Sequence, residues 1–194
     1  MSKKKGRLII ISAPSGTGKS TLIRRLMELR RDLVLSVSAT TRSPRKGEED
    51  GVSYYFVTRE RFLEMIGREE FLEYAEYVGE FYGTPKKPIY ENIGQGKDIL
   101  LEIEVQGAKQ IVEKEPDSIS VFIIPPDIAE LERRLRGRGT DSAEKLAARL
   151  ERARLELEEK VHYSYVVVND DVTRAAEEII SIIDSVHSQK NTDY

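Results

Sequence analysis

Leu8-Ile9-Ile10-Ile11-Ser12-Ala13-Pro14-Ser15-Gly16-Thr17-Gly18-Lys19-Ser20-Thr21 is the stretch that decides the fold of this chain of 194 residues. It opens on four apolar residues, three of them β-branched, the composition of a buried strand. A turn over residues 12–18 follows, after which Leu22, Ile23, Leu26 and Leu29 recur at the spacing of one helix face. Strand, glycine-rich turn and helix are the setting in which Gly16-Thr17-Gly18-Lys19-Ser20 becomes a phosphate cradle. Lacking β-carbons, Gly16 and Gly18 let the backbone bend tightly and aim several N–H groups at one anion. The helix N-terminus adds partial positive charge at the same point. In such a cradle Lys19 reaches the outer phosphates of a nucleoside triphosphate, and the Ser20 hydroxyl ligates Mg²⁺. Ala13 stands where the motif usually has glycine. An ordinary glycine-rich turn is the bland alternative. A dinucleotide fingerprint is disfavoured, because Thr21 occupies the place of its third glycine.

Working outward, apolar runs alternate with helical segments as far as Val186, which predicts an α/β fold on a parallel sheet. The length suits one domain with a core and inserts. Over residues 38–85 the pattern changes to short aromatic strands with a turn at Val78-Gly79-Glu80-Phe81, an inserted subdomain on a mixed sheet. Residues 98–104 read as a buried strand in which Ile99, Leu100 and Leu101 run into Glu102, with Glu104 facing the same way. An apolar strand ending in an acid can orient a metal beside a phosphate loop, which makes Glu102 a candidate; a solvated strand-end carboxylate is the competing reading. Arg42 and Arg45 flank Pro44 in a polar, turn-rich loop. Guanidiniums fork onto phosphate oxygens, although arginines in a charged loop are more often simply solvated. Read from its neighbours alone, Glu73 is a surface charge on an amphipathic strand. His162 and His187 are isolated and fit no metal-ligand spacing, so a structural or exposed role is expected for both.

Lysine and arginine number 31 against 34 acids, a balance that offers nucleic acid no net attraction. Lys3-Lys4-Lys5 reads as a solubilising start, and the apolar run after it is too short for a signal peptide or a membrane span. No cysteine is present, which excludes a disulfide framework and thiol chemistry and makes the cytoplasm the default expectation. The segment after Asp184 is a polar tail. No Asn-Lys-x-Asp run occurs, which disfavours a GTPase switch.

A second motif is more specific: Thr40-Thr41-Arg42-x-x-Arg45-x-x-Glu48-x-x-Gly51-x-x-Tyr54-x-Phe56-Val57, nine positions over eighteen residues. With the phosphate loop, it resembles guanylate kinase, and the resemblance covers the chain from Arg7 to about Asp184. It implies transfer of the γ-phosphate of ATP to GMP, and also to dGMP, with Mg²⁺, in purine nucleotide metabolism. The implied fold is a P-loop core, a three-layer parallel sheet over residues 1–36, 87–127 and 158–194. A mixed α+β GMP-binding subdomain over residues 37–86 and a helical lid over residues 128–157 are inserted into it. The resemblance assigns Ala13, Pro14, Ser15, Gly16, Thr17, Gly18, Lys19, Ser20, Thr21 and Asn169 to ATP. It assigns the GMP phosphate to Ser38, Arg42, Arg45, Tyr54 and Tyr82, and the guanine to Glu73, Thr84 and Glu104. Where the family often has aspartates, this chain has Glu102 and Glu104, each one methylene longer. Ser20 and Glu102 are the implied metal residues. Lys19, Arg42, Arg138 and Arg149 are the implied catalytic cations, the last two at the family's lid separation of eleven. Asp141 and Glu144 suit a cap for the helix whose stripe is Leu146, Leu150, Ala153 and Leu157. No general base is required, since the acceptor is already an ionised phosphate oxygen. Two alternatives are weighed against this enzyme. One is a guanylate-kinase-like scaffold module, which typically loses the phosphate loop that is intact here; the other is a P-loop kinase with another acceptor, from which Glu73 discriminates.

Overall fold

The computed structural model of the protein describes residues 5–137 and 143–189. The first strand is β1 (Leu8–Ser12) and the helix beyond the turn is α1 (Lys19–Leu29). There follow β2 (Val34–Leu35), β3 (Ala39–Thr40), β4 (Tyr55–Phe56), α2 (Arg59–Gly67), β5 (Phe71–Tyr77), β6 (Glu80–Pro85), α3 (Lys86–Gly94), β7 (Ile99–Glu102) and α4 (Val105–Lys114). Then come β8 (Ile119–Ile124), α5 (Ile128–Arg136), α6 (Ala143–Glu158), a 3₁₀ turn at Glu159–His162, β9 (Tyr165–Val168) and α7 (Val172–Gln189). No helix among the described residues is long and apolar enough to cross a membrane.

β1 is the middle strand of a parallel sheet of order β2-β7-β1-β8-β9. Successive strand side chains point to opposite faces, so an all-apolar strand must feed two cores. Ile9 and Ile11 pack with Leu22, Ile23 and Leu26 of α1 and with Ala175, Ile179 and Ile183 of α7. Leu8 and Ile10 pack on the other face, with Ile89 and Ile93 of α3 and Ala108 and Ile111 of α4. The result is three layers, as the alternation of apolar runs predicts. Each fully buried isoleucine is worth about 1.5–3 kcal/mol relative to exposure, and Ile9, Ile10 and Ile11 are all fully buried. Leu29 departs from the predicted stripe: it is the last residue of α1 and lies at the surface. From β1 the chain crosses to β2 at one edge and from β8 to β9 at the other, so the point where the strand order reverses, at which such sheets bind ligands, falls at the C-terminal ends of β1 and β8.

The second sheet is mixed, of order β4-β3-β6-β5, over a small core of Ala39, Phe62, Met65 and Phe71. Phe62 stacks on Phe71 and Phe81 at 4.5 and 5.3 Å between ring centroids. The predicted turn is a two-residue hairpin in which Val78 and Gly79 both have positive φ, 52° and 79°, the signature of a type I′ turn. The strand expected over 98–104 is shorter, because β7 stops at Glu102 and Glu104 already caps α4, its carbonyl accepting from Ala108 N at 3.0 Å. On α6, Leu146, Leu150 and Ala153 pack against Leu131 and Leu135 of α5, as the stripe predicts, while its fourth member, Leu157, is half-buried outside this cluster. Asp141 lies outside the described residues. His187 is not isolated: it is buried with Nε2 2.7 Å from Asp98 Oδ2, and Asp98 Oδ1 accepts from Arg7 N at 2.9 Å. This pair ties α7 to the start of β7, a structural role. His162 is exposed.

Candidate functional site

The turn after β1 closes on itself, with Thr17 N and its hydroxyl both donating to Pro14 O. Gly16 and Gly18 have φ of 92° and 89°, the left-handed region that glycine enters freely. Space also dictates glycine there. A β-carbon on Gly16 would lie 2.6 Å from Leu135 of α5, and one on Gly18 would lie 2.9 Å from Asn169 Nδ2. Ala13 is buried in the α1–α7 core, and Ser15 and Thr21 are at the surface. Lys19 Nζ donates to Ile103 O at 3.2 Å and lies 4.0 Å from Glu102 Oε1. Ser20 Oγ donates to Glu102 Oε1 at 2.9 Å. The ammonium, the hydroxyl and the strand-end carboxylate therefore converge at the mouth of the loop.

Two further elements brace the loop. Asn169, buried just beyond β9, donates from Nδ2 to Thr17 O at 2.7 Å. The turn reading of the Asn-Asp-Asp run holds beside it, since Asp171 Oδ1 caps α7 by accepting from Thr173 N and Arg174 N, each at 2.9 Å. Arg134 of α5 donates from Nη1 to Thr17 O at 2.9 Å, from Nη2 to Asn169 O at 3.0 Å, and from Nε to Glu130 at 2.6 Å. Guanidiniums of Arg133 and Arg134 hold the Glu130 carboxyl at about 2. Helix α6 reaches the same loop, with Arg149 Nη2 donating to Ser15 Oγ at 2.9 Å.

A second cationic centre forms on the mixed sheet. Arg42 is gripped end-on by Glu48 through two hydrogen bonds of 2.9 Å, and Glu48 Oε2 also accepts from Arg45 N at 2.7 Å. The guanidinium lies 5.4 Å from the Tyr54 ring centroid and 5.9 Å from that of Phe56. Hydrogen bonding to Glu48 raises the Arg42 pKa, and the same bond lowers that of Glu48. Tyr54 and Tyr82 meet edge to face at 6.2 Å, and burial pushes the Tyr54 hydroxyl up. Ser38 is drawn in because its carbonyl accepts from Tyr55 N at 2.9 Å, while Arg45 is exposed on the turn that Glu48 closes.

Glu73 overturns the surface-charge reading. It is 7% exposed, and Oε1 accepts from the fully buried Thr84 hydroxyl at 2.5 Å. The cause is a one-residue shift in the β5–β6 ladder: Phe71 pairs with Pro85, but Tyr74 pairs with Gly83. Leu72 and Glu73 together oppose Thr84, a bulge that breaks the alternation: Phe71 packs into the mixed-sheet core, Leu72 into the core beside α3 and α4, and Glu73 is buried as well. Burial raises the Glu73 pKa, against the opposing pull of the Thr84 hydroxyl and the Lys114 ammonium.

With this geometry in place, comparisons with known proteins identify the lineage. A family model described as guanylate kinase matches residues 5–186. The chain belongs to the guanylate kinase family. It is similar to the guanylate kinase of Synechocystis, 51% identical over 179 residues that span 92% of this chain and 94% of the relative. It is similar also to that of Lactococcus lactis, 51% identical over 185 residues, 95% of this chain and 90% of the other. The crystal structure of guanylate kinase from Anaplasma phagocytophilum superposes with a TM-score of 0.76 at 38% identity, covering 94% of this chain and 87% of that one.

Of the residues that the guanylate kinase resemblance implies, the fold gathers Ala13 to Thr21, Glu102, Asn169 and Arg149 around the first loop. Ser38, Arg42, Tyr54 and Tyr82 cluster on the mixed sheet, and Glu73 with Thr84 forms a buried pair behind them. Glu104 is exposed at the start of α4. Arg138 lies outside the described residues. Sequence reading missed Arg134 and the clamp role of Glu48. A signal for Arg134 was present, since it neighbours Leu135 and lies three residues beyond Leu131 on the buried stripe of α5.

Proposed function

We propose that this protein is a cytoplasmic ATP:GMP phosphotransferase that also accepts dGMP, with the roles that follow. The loop amides and Lys19 cradle the β- and γ-phosphates of ATP, while Asn169 and Arg134 hold the Thr17 carbonyl and so the curvature of that cradle. Arg42, with Arg45, Ser38, Tyr54 and Tyr82, receives the phosphate of GMP. Glu48 grips one end of the Arg42 guanidinium, which orients the fork before substrate arrives. Glu73, with Thr84 and Glu104 beside it, reads guanine: its carboxylate accepts from the N1–H and the exocyclic amino group. Adenine offers an acceptor at N1, which a carboxylate repels. A site built on such pairing rejects the wrong base by roughly four to five orders of magnitude, because its buried acceptor would be left unpaired.

In the reaction, the bond from the γ-phosphorus to the bridging oxygen of ADP breaks as a bond forms to an oxygen of the GMP phosphate. Both partners are anionic, so charge neutralisation and alignment carry the rate and no base is needed. Arg149 on α6, already at Ser15, is placed to bring positive charge as the α5–α6 lid settles, and Arg138 is assigned the companion role. The oxygen donors of Ser20 and Glu102, 2.9 Å apart, are hard ligands of the kind that suit Mg²⁺ beside a triphosphate. Held by these two residues, the ion would supply positive charge to offset the negative charge of the transferring phosphoryl group.

The observation that carries the reading is the buried Glu73–Thr84 pair, a carboxylate kept out of water at a cost and placed one strand from the arginine centre. The test is a panel of GMP, dGMP, AMP, CMP and UMP as acceptors with Mg-ATP. ADP formation with the two guanine nucleotides alone is expected. Equal rates with AMP, or none with GMP, would overturn the assignment.

A further inference from the structure

Glycine inside a helix weakens it, so a helical glycine with ordinary φ needs another reason. Gly107 is such a residue: it is the third residue of α4, it is buried, and its φ is not positive. The reason lies across the gap to β5. A β-carbon at position 107 would stand 2.7 Å from Glu73 Oε2 and 3.1 Å from its Cδ. Ordinary contact begins at 3.4 Å, so an added methyl drives that oxygen back by about 0.7 Å.

Neither side gives way freely. The carboxylate is pinned at Oε1 by the Thr84 hydroxyl at 2.5 Å. The helix is pinned by Ala108 and Ile111, both fully buried, and by Lys114 Nζ, which donates to Leu72 O at 2.9 Å, next to Glu73 itself. Rotation of the carboxylate is the softest response available.

We infer that Gly107 is a positioning residue for acceptor selection: its missing side chain is the space into which the Glu73 carboxylate is set. The inference rests on the reading of Glu73 as the guanine acceptor, and it adds a determinant on α4 that acts through that carboxylate. A carboxylate moved by most of an ångström no longer meets two parallel donors, and misplacement on that scale costs roughly 10²-fold.

A double-mutant cycle tests it. Gly107→Ala is expected to lower kcat/KM for GMP by roughly 10²-fold while KM for ATP stays within about twofold. Its thermal midpoint should fall by no more than a few degrees, since the helix preference of alanine offsets part of the cost of displacing the carboxylate. In a Glu73→Ala background the same Gly107→Ala change should alter GMP use by less than about twofold, because no carboxylate remains to be displaced. Equal losses in both backgrounds, no loss in the native background, or an unfolded Gly107→Ala protein would each overturn the inference while leaving the guanine reading intact. Unchanged GMP use in Glu73→Ala alone would instead remove the guanine reading, and this inference with it.

Discussion

Glu73→Gln keeps the shape of the side chain and removes its charge, which makes it the sharpest probe of acceptor choice. Thr84 can still donate to the amide oxygen, as it does to Oε1 at 2.5 Å. The amide nitrogen then stands where the second carboxylate oxygen was, and it faces guanine donors with a donor. A hydrogen bond to a charged acceptor is worth about 1.5–3 kcal/mol, and a buried donor left unpaired costs roughly 1–3 kcal/mol more. One of each amounts to about 2.5–6 kcal/mol, or roughly 10²–10⁴-fold in kcat/KM for GMP. The assay is steady-state turnover with GMP varied at saturating Mg-ATP, then with ATP varied. KM for ATP should move by less than about twofold, since Glu73 touches nothing in the phosphate loop. Parallel losses for both substrates, or an unchanged kcat/KM for GMP, would refute the reasoning.

Three more predictions come from the same structure. Arg42→Lys replaces a fork with a point charge and is expected to raise KM for GMP by roughly 10–10²-fold, with ATP binding spared when measured by titration. The raised Glu73 pKa has two consequences of known sign. In activity, kcat/KM for GMP falls on the acid side with a midpoint above 4.5, the ordinary glutamate value, and Glu73→Gln abolishes that limb. In stability, a raised folded-state pKa means that the stabilising protonated form is whole below 4.5 and is lost as pH rises through the raised value. Glu73→Gln should therefore raise the melting temperature at pH 7 and leave it unchanged near pH 4, as calorimetry can check. Val78, β-branched at φ 52°, sits where a type I′ turn favours asparagine. Val78→Asn is expected to stabilise by about 1 kcal/mol in urea titration with activity unchanged.

Much of the fold was legible because local signals agreed. An all-apolar strand before a glycine-rich turn allows little besides a central strand, and β1 is one. The hairpin at Val78-Gly79 was readable for the same reason, as was the stripe of α6. Glu73 was not legible from alternation, because the bulge that buries it depends on the pairing of β5 with β6. Arg134, and the carbonyl that Asn169 holds, were obscured differently. The partners of both side chains are backbone carbonyls far along the chain, and no pattern of side chains announces a carbonyl. His187 meets Asp98 only when α7 folds back on the sheet, a separation of 89 residues that spacing rules do not reach.

The central claim is met most directly by a crystal structure with GMP and a non-hydrolysable ATP analogue bound together. The account predicts the Glu73 carboxylate about 2.7–3.2 Å from both N1 and the exocyclic nitrogen of guanine, with the Arg42 guanidinium on the GMP phosphate. A structure in which both nucleotides bind but guanine stacks elsewhere, with Glu73 still engaged by Thr84 alone, would contradict it.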